Sequence, residues 1–154
     1  MADLEVAIQI NANPAKVWEL VGDPTRMGEW SPETHRVAWS KGSTGPATGA
    51  TFTGHNRIGW RRWSTAGTIV AYEPERQIAW DVAALGLPVA QWGYRIQSGA
   101  HGGCTLVEEF TDRRGSLVNF VGSYVRGVSD TLGHNQAGME KTVAQVKAVA
   151  EAGS

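Results

Sequence analysis

A histidine and an arginine, two residues apart, are the first side chains in this sequence that could do chemistry together. His55 and Arg57 lie in an alternating segment, so they share one face of a predicted strand with Thr53. The histidine could move a proton near neutral pH, and the arginine could hold an enolate or a carboxylate. The same spacing also occurs on solvent-exposed sheet faces, and we favour exposure here. The remaining histidines are scattered and are expected to face solvent: His35, His101 and His134.

A polar side chain interrupts the apolar stripe of the predicted C-terminal helix. The stripe recurs at spacings of three, four or seven residues and comprises Leu117, Val121, Tyr124, Val128, Leu132, Met139, Val143, Val146 and Ala150. Asn135 lies near its centre, where an unpaired buried amide costs about 1–3 kcal/mol. We therefore expect Asn135 to bind a ligand, a water molecule or a residue of the sheet.

The last predicted strand carries two adjacent carboxylates, Glu108 and Glu109, which lie on opposite faces. Val107 and Glu109 alternate with Leu106 and Glu108. A shift of one residue in register exchanges the two faces, so alternation alone leaves the inward carboxylate undecided.

Seven tryptophans is a high count for a chain of 154 residues. Each can bury on the order of 200 Å² and offers one N–H donor, so most are expected to pack in a core. Trp92 and Tyr94 share one strand face, and Trp80 shares a face of the preceding strand with Ile78 and Val82. Both faces carry the larger apolar groups and are predicted to point inward, where several aromatic rings would line a pocket.

The order of predicted elements is typical of an α+β domain. Leu4–Ile10 alternates as a strand, Asn13-Pro14 begins a short helix, and Thr25–Trp30 forms a second. Six strands follow, separated by turns that include Leu87-Pro88, and the short links imply an antiparallel meander. The strands are predicted at 33–40, 50–59, 62–73, 76–84, 89–98 and 103–112. A helix over 116–150 ends the chain, and we expect it to bend or break at Gly122, Gly127, Gly133 or Gly138.

The sequence Trp60-Arg61-Arg62-Trp63 mixes basic and aromatic groups, as surfaces for membranes or single-stranded nucleic acids do. Alternation places Trp60 and Trp63 on opposite faces. We therefore interpret the motif as a hairpin with one buried tryptophan.

Composition excludes several classes of function. Fourteen basic and fifteen acidic residues give a net charge of −1, which argues against a nucleic-acid partner. Cys104 is the only cysteine, so no intramolecular disulfide can form, and the N-terminus lacks signal-peptide features. We expect a soluble, cytoplasmic protein without stable membrane insertion, either monomer or homodimer. The dispersed histidines give no metal-ligand spacing, and no cofactor is expected.

Taken in order, these motifs resemble the START-like (SRPBCC) polyketide cyclase/dehydrase family. The resemblance rests on Asn13-Pro14 with Val17-Trp18, Asp23-Pro24, Trp30-Ser31-Pro32-Glu33, Trp80, Trp92-x-Tyr94, Gly103-Cys-Thr-Leu-Val-Glu-Glu and the closing Met139-Glu-Lys-Thr-Val. It covers nearly the whole chain and implies one domain over 1–154. The implied structure is a helix-grip fold, a curved antiparallel seven-stranded sheet around a long C-terminal helix, with two short helices after the first strand.

The resemblance also implies a cavity between sheet and helix and favours the Val107/Glu109 face as inward. A carboxylate beside aromatic walls would have a raised pKa, making Glu109 a candidate acid or base, although a solvated or Arg-paired strand residue is the more common case. Catalytic candidates are therefore His55, Arg57 and Glu109. Expected ligand-binding residues are Trp30, Phe52, Trp63, Trp80, Trp92, Tyr94, Val107, Phe120, Tyr124, Val128 and Asn135.

Three functions are compatible with these features. The first is binding or transport of a small hydrophobic ligand, such as a lipid, a polyketide or an aromatic metabolite. The second is a polyketide cyclase, aromatase or dehydratase that uses acid–base groups of the cavity. The third is a protein-interaction module with a collapsed core. We rank them in that order, because fold alone does not specify chemistry.

Overall fold

The computed structural model describes residues 2–114 and 131–152. Its strands are β1 (Leu4–Ile10), β2 (Thr34–Ser40), β3 (Thr51–Ile58), β4 (Arg61–Glu73), β5 (Gln77–Ala84), β6 (Leu87–Ser98) and β7 (Cys104–Asp112). Helix α1 spans Pro14–Val21, and 3-10 helices span Pro24–Glu29 and Ala100–Gly102. Helix α2 spans Thr131–Ala152. The predicted strands and the two short helices are confirmed, with bounds that differ by one or two residues.

Within the described residues, the strands form one antiparallel sheet in the order β1-β7-β6-β5-β4-β3-β2. Strands β2 to β7 form a meander, and β1 pairs with β7, so β1 and β2 are the two edges. The sheet is interrupted by register shifts near Arg36, Ala71 and Ala83, and such bulges bend a sheet. The predicted α+β helix-grip class is confirmed.

The turn between β5 and β6 differs from the prediction. The chain reverses at Leu85 and Gly86, which have φ angles of 53° and 78°, and Leu87-Pro88 already belongs to β6. Two consecutive residues with positive φ form the tight hairpin whose twist matches that of the strands, and glycine suits its second position. The predicted turn at Leu87-Pro88 is therefore wrong by two residues.

Both short helices begin as their sequences predict. The side chain of Asn13 accepts a hydrogen bond from the Lys16 amide, and Pro14 occupies the first turn of α1. Asp23 caps the following 3-10 helix in the same way, through the Thr25 amide. These caps stabilise the first turns of both helices.

The main core lies between the sheet and the helices. Alternate residues of β1 and β7 contribute Ile10 and Leu106, while α1 and α2 contribute Val17 and Val146, all nearly inaccessible to solvent. Lys147 and Glu151 of α2 hydrogen-bond the backbone of Gln9 and Asn11, which fixes the end of α2 against β1.

Helix α2 is continuous through Gly133 and Gly138, two of the four glycines where a bend or break was expected. The predicted helix over 116–130, with Gly122 and Gly127, lies outside the described residues. Within the described ranges, no helix is both long and apolar enough to span a bilayer.

Candidate functional site

A cavity of about 460 Å³ lies between the concave face of the sheet and α2. Its walls are mainly apolar, and their largest side chains are Phe52, Trp63, Trp80, Trp92, Tyr94, Phe110 and Met139. The volume falls within the range of about 300–1,000 Å³ that is common for small-molecule sites. The expected cavity between sheet and helix is therefore present.

Aromatic rings on neighbouring strands pack against one another along this wall. The Trp80 ring centroid lies 6.3 Å from that of Phe52 and 5.9 Å from that of Tyr94. The centroids of Trp92 and Phe110 are 4.7 Å apart. Trp80 and Trp92 are register partners on β5 and β6, so the predicted inward faces of both strands are correct. These mutual contacts restrict the rings and give the wall a defined shape.

A glycine makes room for one of these rings. A Cβ atom placed on Gly67 would lie 2.3 Å from two atoms of the Phe52 ring. Gly67 and Phe52 are register partners on β4 and β3, so the ring lies across the neighbouring strand. Glycine is the residue that allows this close approach.

Glu108 places a carboxyl group among the aromatic walls. Its side chain lines the cavity and is only 6% exposed. Its register partner on β6 is Tyr94, whose hydroxyl donates a hydrogen bond to the carboxyl. The Oε1 atom of Glu108 is buried and has no hydrogen-bond partner in the described part of the chain. A cavity-lining residue with an unsatisfied buried polar atom is a candidate contact for a ligand.

Burial determines the proton affinity of this carboxyl. It raises the pKa of Glu108 to about 8, and the hydrogen bond from Tyr94 partly offsets that rise. Burial, followed by the neighbouring Glu108, likewise raises the pKa of Tyr94. Glu108 is thus mostly protonated at neutral pH and can donate a hydrogen bond.

The inward assignment of Val107 and Glu109 is wrong by one residue. Glu109 points to the convex face, where its Oε1 atom lies 2.6 Å from Nε of Arg95. Val107 is buried on that same face and has Arg95 as its register partner. The sheet therefore places an Arg-paired carboxylate outside and its neighbour Glu108 inside, as side-chain alternation requires.

A polar cluster on β2, β3 and β4 lines another part of the cavity. The Thr34 hydroxyl donates to Oδ1 of Asn56 over 2.6 Å, and Nδ2 of Asn56 donates to the Thr65 hydroxyl over 3.3 Å. Asn56 is buried. Asn56 was not predicted from the sequence as a cavity residue. It lies on the same face of β3 as Phe52, which was expected to line the cavity.

Helix α2 contributes further polar groups to the cavity. Asn135 is 6% exposed and lines the cavity, as its position in the stripe predicted. His134, which was expected to face solvent, is half-buried and also contributes to the lining. Two turns beyond Asn135, the Thr142 hydroxyl donates to the backbone carbonyl oxygen of Gly138. Three expected ligand-binding residues lie outside the described residues: Phe120, Tyr124 and Val128.

His55 and Arg57 lie on the convex side of β3. This agrees with the favoured interpretation, in which both side chains are on an exposed face. Nε2 of His55 contacts an Arg36 nitrogen at 3.1 Å, and its Nδ1 contacts the Ser64 hydroxyl at 3.2 Å. Arg57 is exposed and contributes to the lining at one end of the cavity. His55 is therefore separated from Glu108 by the sheet, so the two cannot act on one ligand.

Trp30 belongs to the hydrophobic core and not to the cavity wall. It is buried, its ring lies 5.3 Å from the guanidinium of Arg26, and its backbone carbonyl faces the Thr142 hydroxyl. Trp63, by contrast, lines the cavity as expected, while Trp60 is exposed. In the described part of the chain, no three metal-binding side chains come together.

Comparisons with known proteins agree with this architecture. Residues 1–151 match the family described as polyketide cyclase/dehydrase and lipid transport. Comparison with the curated proteins gives no match. The Polyketide_cyc-like protein Cgl2372 of Corynebacterium glutamicum is 26% identical, with a TM-score of 0.59 over 96% of this chain and 88% of that one.

More distant structures share the fold. Ms6760 of Mycobacterium smegmatis is 15% identical, with a TM-score of 0.66 over 98% of this chain and 92% of that one. The di-domain ARO/CYC StfQ of the steffimycin biosynthetic pathway is 12% identical and has a TM-score of 0.71. That match covers 98% of this chain and 51% of StfQ. From the extent of the family match, this chain belongs to the polyketide cyclase/dehydrase and lipid transport family.

Proposed function

We propose that this protein binds a small, predominantly apolar molecule that carries a hydrogen-bond-accepting oxygen. The observation that carries the proposal is the position of Glu108, which lines a cavity walled by Trp80, Trp92 and Phe110 and whose buried Oε1 atom has no partner among the described residues. The aromatic walls favour an apolar body. The protonated carboxyl favours an acceptor such as a carbonyl oxygen, since an acid–oxygen pair satisfies both groups.

A collapsed interaction module is less compatible with these features. A cavity of about 460 Å³ leaves space in the fold that a tightly packed core would have filled. Cavities of this kind without a ligand cost stability, because the lining atoms lose contacts. Occupancy by an apolar molecule would restore those contacts, so a binding function accounts for the space.

A matched pair of substitutions tests this proposal. Val82 lines the cavity, whereas Ala66 lies on the outer face of the neighbouring strand and is exposed. We expect N-phenyl-1-naphthylamine, a neutral fluorophore, to bind the native protein and to lose affinity in Val82→Trp. Ala66→Trp should bind like the native protein. Equal loss in both variants, or no binding by the folded native protein, would refute a ligand cavity.

A second candidate function is acid catalysis of an intramolecular aldol cyclisation. The specific observation is that burial raises the pKa of Glu108, the register partner of Tyr94, to about 8. In such a step, Glu108 donates its proton to a ketone oxygen while the enol carbon of the same ligand forms a bond to the ketone carbon. The proton released from the enol hydroxyl returns to the carboxylate, so the reaction is an isomerisation that restores the acid.

The enzymatic alternative has its own test. Synthetic linear triketones and tetraketones would be incubated with the native protein and with Glu108→Gln and Glu109→Gln. Cyclic product formed by the native protein and by Glu109→Gln, but not by Glu108→Gln, would support catalysis. Binding of the polyketones without acceleration over buffer would leave binding alone as the function.

A further inference from the structure

The hairpin between β3 and β4 presents a tryptophan to solvent. Gly59, with a φ of 60°, and Trp60 form the turn, and Trp60 is 79% exposed. The guanidinium of Arg61 lies 4.5 Å from the centre of the indole ring. At this exposure, the ring is not part of the core. We call Gly59 and Trp60 the hairpin tip.

Positive charge surrounds this hairpin. The basic face consists of His35, Arg36, His55, Arg57 and Arg62, and Arg57 and Arg62 are direct register partners on β3 and β4. Like charges directly opposite each other destabilise a sheet. None of the arginines of this face forms an ion pair within the described residues, so the repulsion is uncompensated there.

The pKa of His35 supports the proximity of these charges. Desolvation and then the neighbouring Arg57, Arg62, His55 and Arg36 lower it. Nε2 of His55 lies 3.1 Å from a nitrogen of Arg36, and its Nδ1 lies 3.2 Å from the Ser64 hydroxyl. The permanent positive charges of the face are those of its arginines.

The hairpin adjoins one end of the cavity. Arg57, Ile58 and Gly59 contribute to the cavity lining. In an antiparallel meander, alternate hairpins lie at the same end of the sheet, which places the β5–β6 turn on this side as well. That turn exposes Leu85 completely and Leu87 by 48%. One end of the sheet thus combines exposed apolar side chains, arginines and the edge of the cavity.

We propose that this end of the sheet docks on an anionic membrane surface, with Trp60 among the lipid headgroups and the basic face against the phosphates. An indole and an arginine at a protruding turn match the layered chemistry of that interface, where apolar tails lie beneath anionic groups. A polynucleotide is less suited, since the single exposed indole offers no series of stacking platforms for successive bases. Docking is peripheral and places the cavity edge next to the bilayer.

Sedimentation with vesicles tests the proposal on the intact protein. We expect binding to vesicles of phosphatidylcholine mixed with phosphatidylglycerol, little binding to pure phosphatidylcholine, and weaker binding as salt increases. Arg62→Gln should lower the partition coefficient about five-fold, the effect expected for one basic residue near an anionic surface. Trp60→Ala should lower it several-fold while leaving the salt dependence unchanged.

Arg76→Gln is the matched control, because Arg76 is exposed in the β4–β5 turn at the opposite end of the sheet. It should bind vesicles like the native protein. Equal losses in Arg76→Gln and Arg62→Gln would overturn the proposal, since binding would then follow net charge alone. Binding that is unaffected by Trp60→Ala but is competed by inorganic phosphate or a soluble polyanion would also overturn it, in favour of a simple anion site.

Discussion

Tyr94 and Glu108 are register partners on β6 and β7, and they meet inside the cavity through a hydrogen bond from the tyrosine hydroxyl to the carboxyl. The Oε1 atom of Glu108 has no hydrogen-bond partner among the described residues. A ligand oxygen that pairs with this carboxyl would therefore lie close to Tyr94. Glu108 thus adds a polar group to the aromatic part of the cavity wall.

The protonation of Glu108 should appear in the pH dependence of stability. Its pKa is about 8 in the folded protein against about 4.5 when unfolded, so the folded state binds more protons between these values. The free energy of unfolding should fall as pH rises from about 4.5 to about 8, by an amount on the order of a few kcal/mol. Glu108→Gln should lack this contribution. Urea unfolding of both proteins at several pH values checks it, and parallel pH profiles would contradict it.

The affinity for a ligand with a carbonyl group should depend on the same proton. We expect menadione, an apolar quinone, to bind about three- to ten-fold more weakly once pH exceeds the pKa of Glu108, because the ionised carboxyl no longer donates. Glu108→Gln should bind without this pH dependence, since its amide still donates. Glu109→Gln, on the outer face, should behave like the native protein. Quenching of tryptophan fluorescence measures the affinities, and 2-methylnaphthalene, which lacks the oxygens, should show no dependence in any variant.

Gly67 should not tolerate a methyl group. Its Cβ would overlap the Phe52 ring, so Gly67→Ala must displace an aromatic wall of the cavity and should cost about 1–3 kcal/mol. Gly45→Ala is the control, because a Cβ there meets no atom within 4 Å. Denaturant unfolding compares the two variants. A Gly67→Ala protein as stable as Gly45→Ala would show that the close approach of Phe52 is not required.

Removing one arginine of the facing pair should stabilise the fold. Arg57 and Arg62 are directly opposite on β3 and β4, so Arg62→Gln should raise the free energy of unfolding by about 0.2–1 kcal/mol at low salt. High salt should reduce the gain. Thermal unfolding at two salt concentrations provides the measurement. A loss of stability would mean that the arginine contributes packing that outweighs the repulsion.

Much of this fold follows from the sequence because each strand face repeats every second residue. The inward faces of β5 and β6 were identified from Trp80 and Trp92, which carry the larger apolar groups. The same criterion applied to β7 would have selected Leu106 and Phe110, and with them Glu108. The family pattern was followed instead, and it shifted the assignment by one residue. Asn56 could likewise have been identified, because it lies on the same strand face as Phe52.

Other features depend on packing that no local pattern contains. Trp30 precedes β2 in a segment without alternation, and only the fold places it in the core beside Arg26. The spacing of the apolar residues of α2 did not predict that His134 also lines the cavity. The hydrogen bond between Tyr94 and Glu108 requires the register of two strands, which periodicity does not specify.

The central claim is that an apolar molecule occupies the cavity between the sheet and α2. Native mass spectrometry of the protein as purified from cells tests it most directly, with Val82→Trp and Ala66→Trp measured alongside. We predict that the native protein and Ala66→Trp carry a bound organic molecule that is extractable into solvent, and that Val82→Trp does not. A folded native protein that carries no such molecule and takes up neither N-phenyl-1-naphthylamine nor menadione would contradict the account.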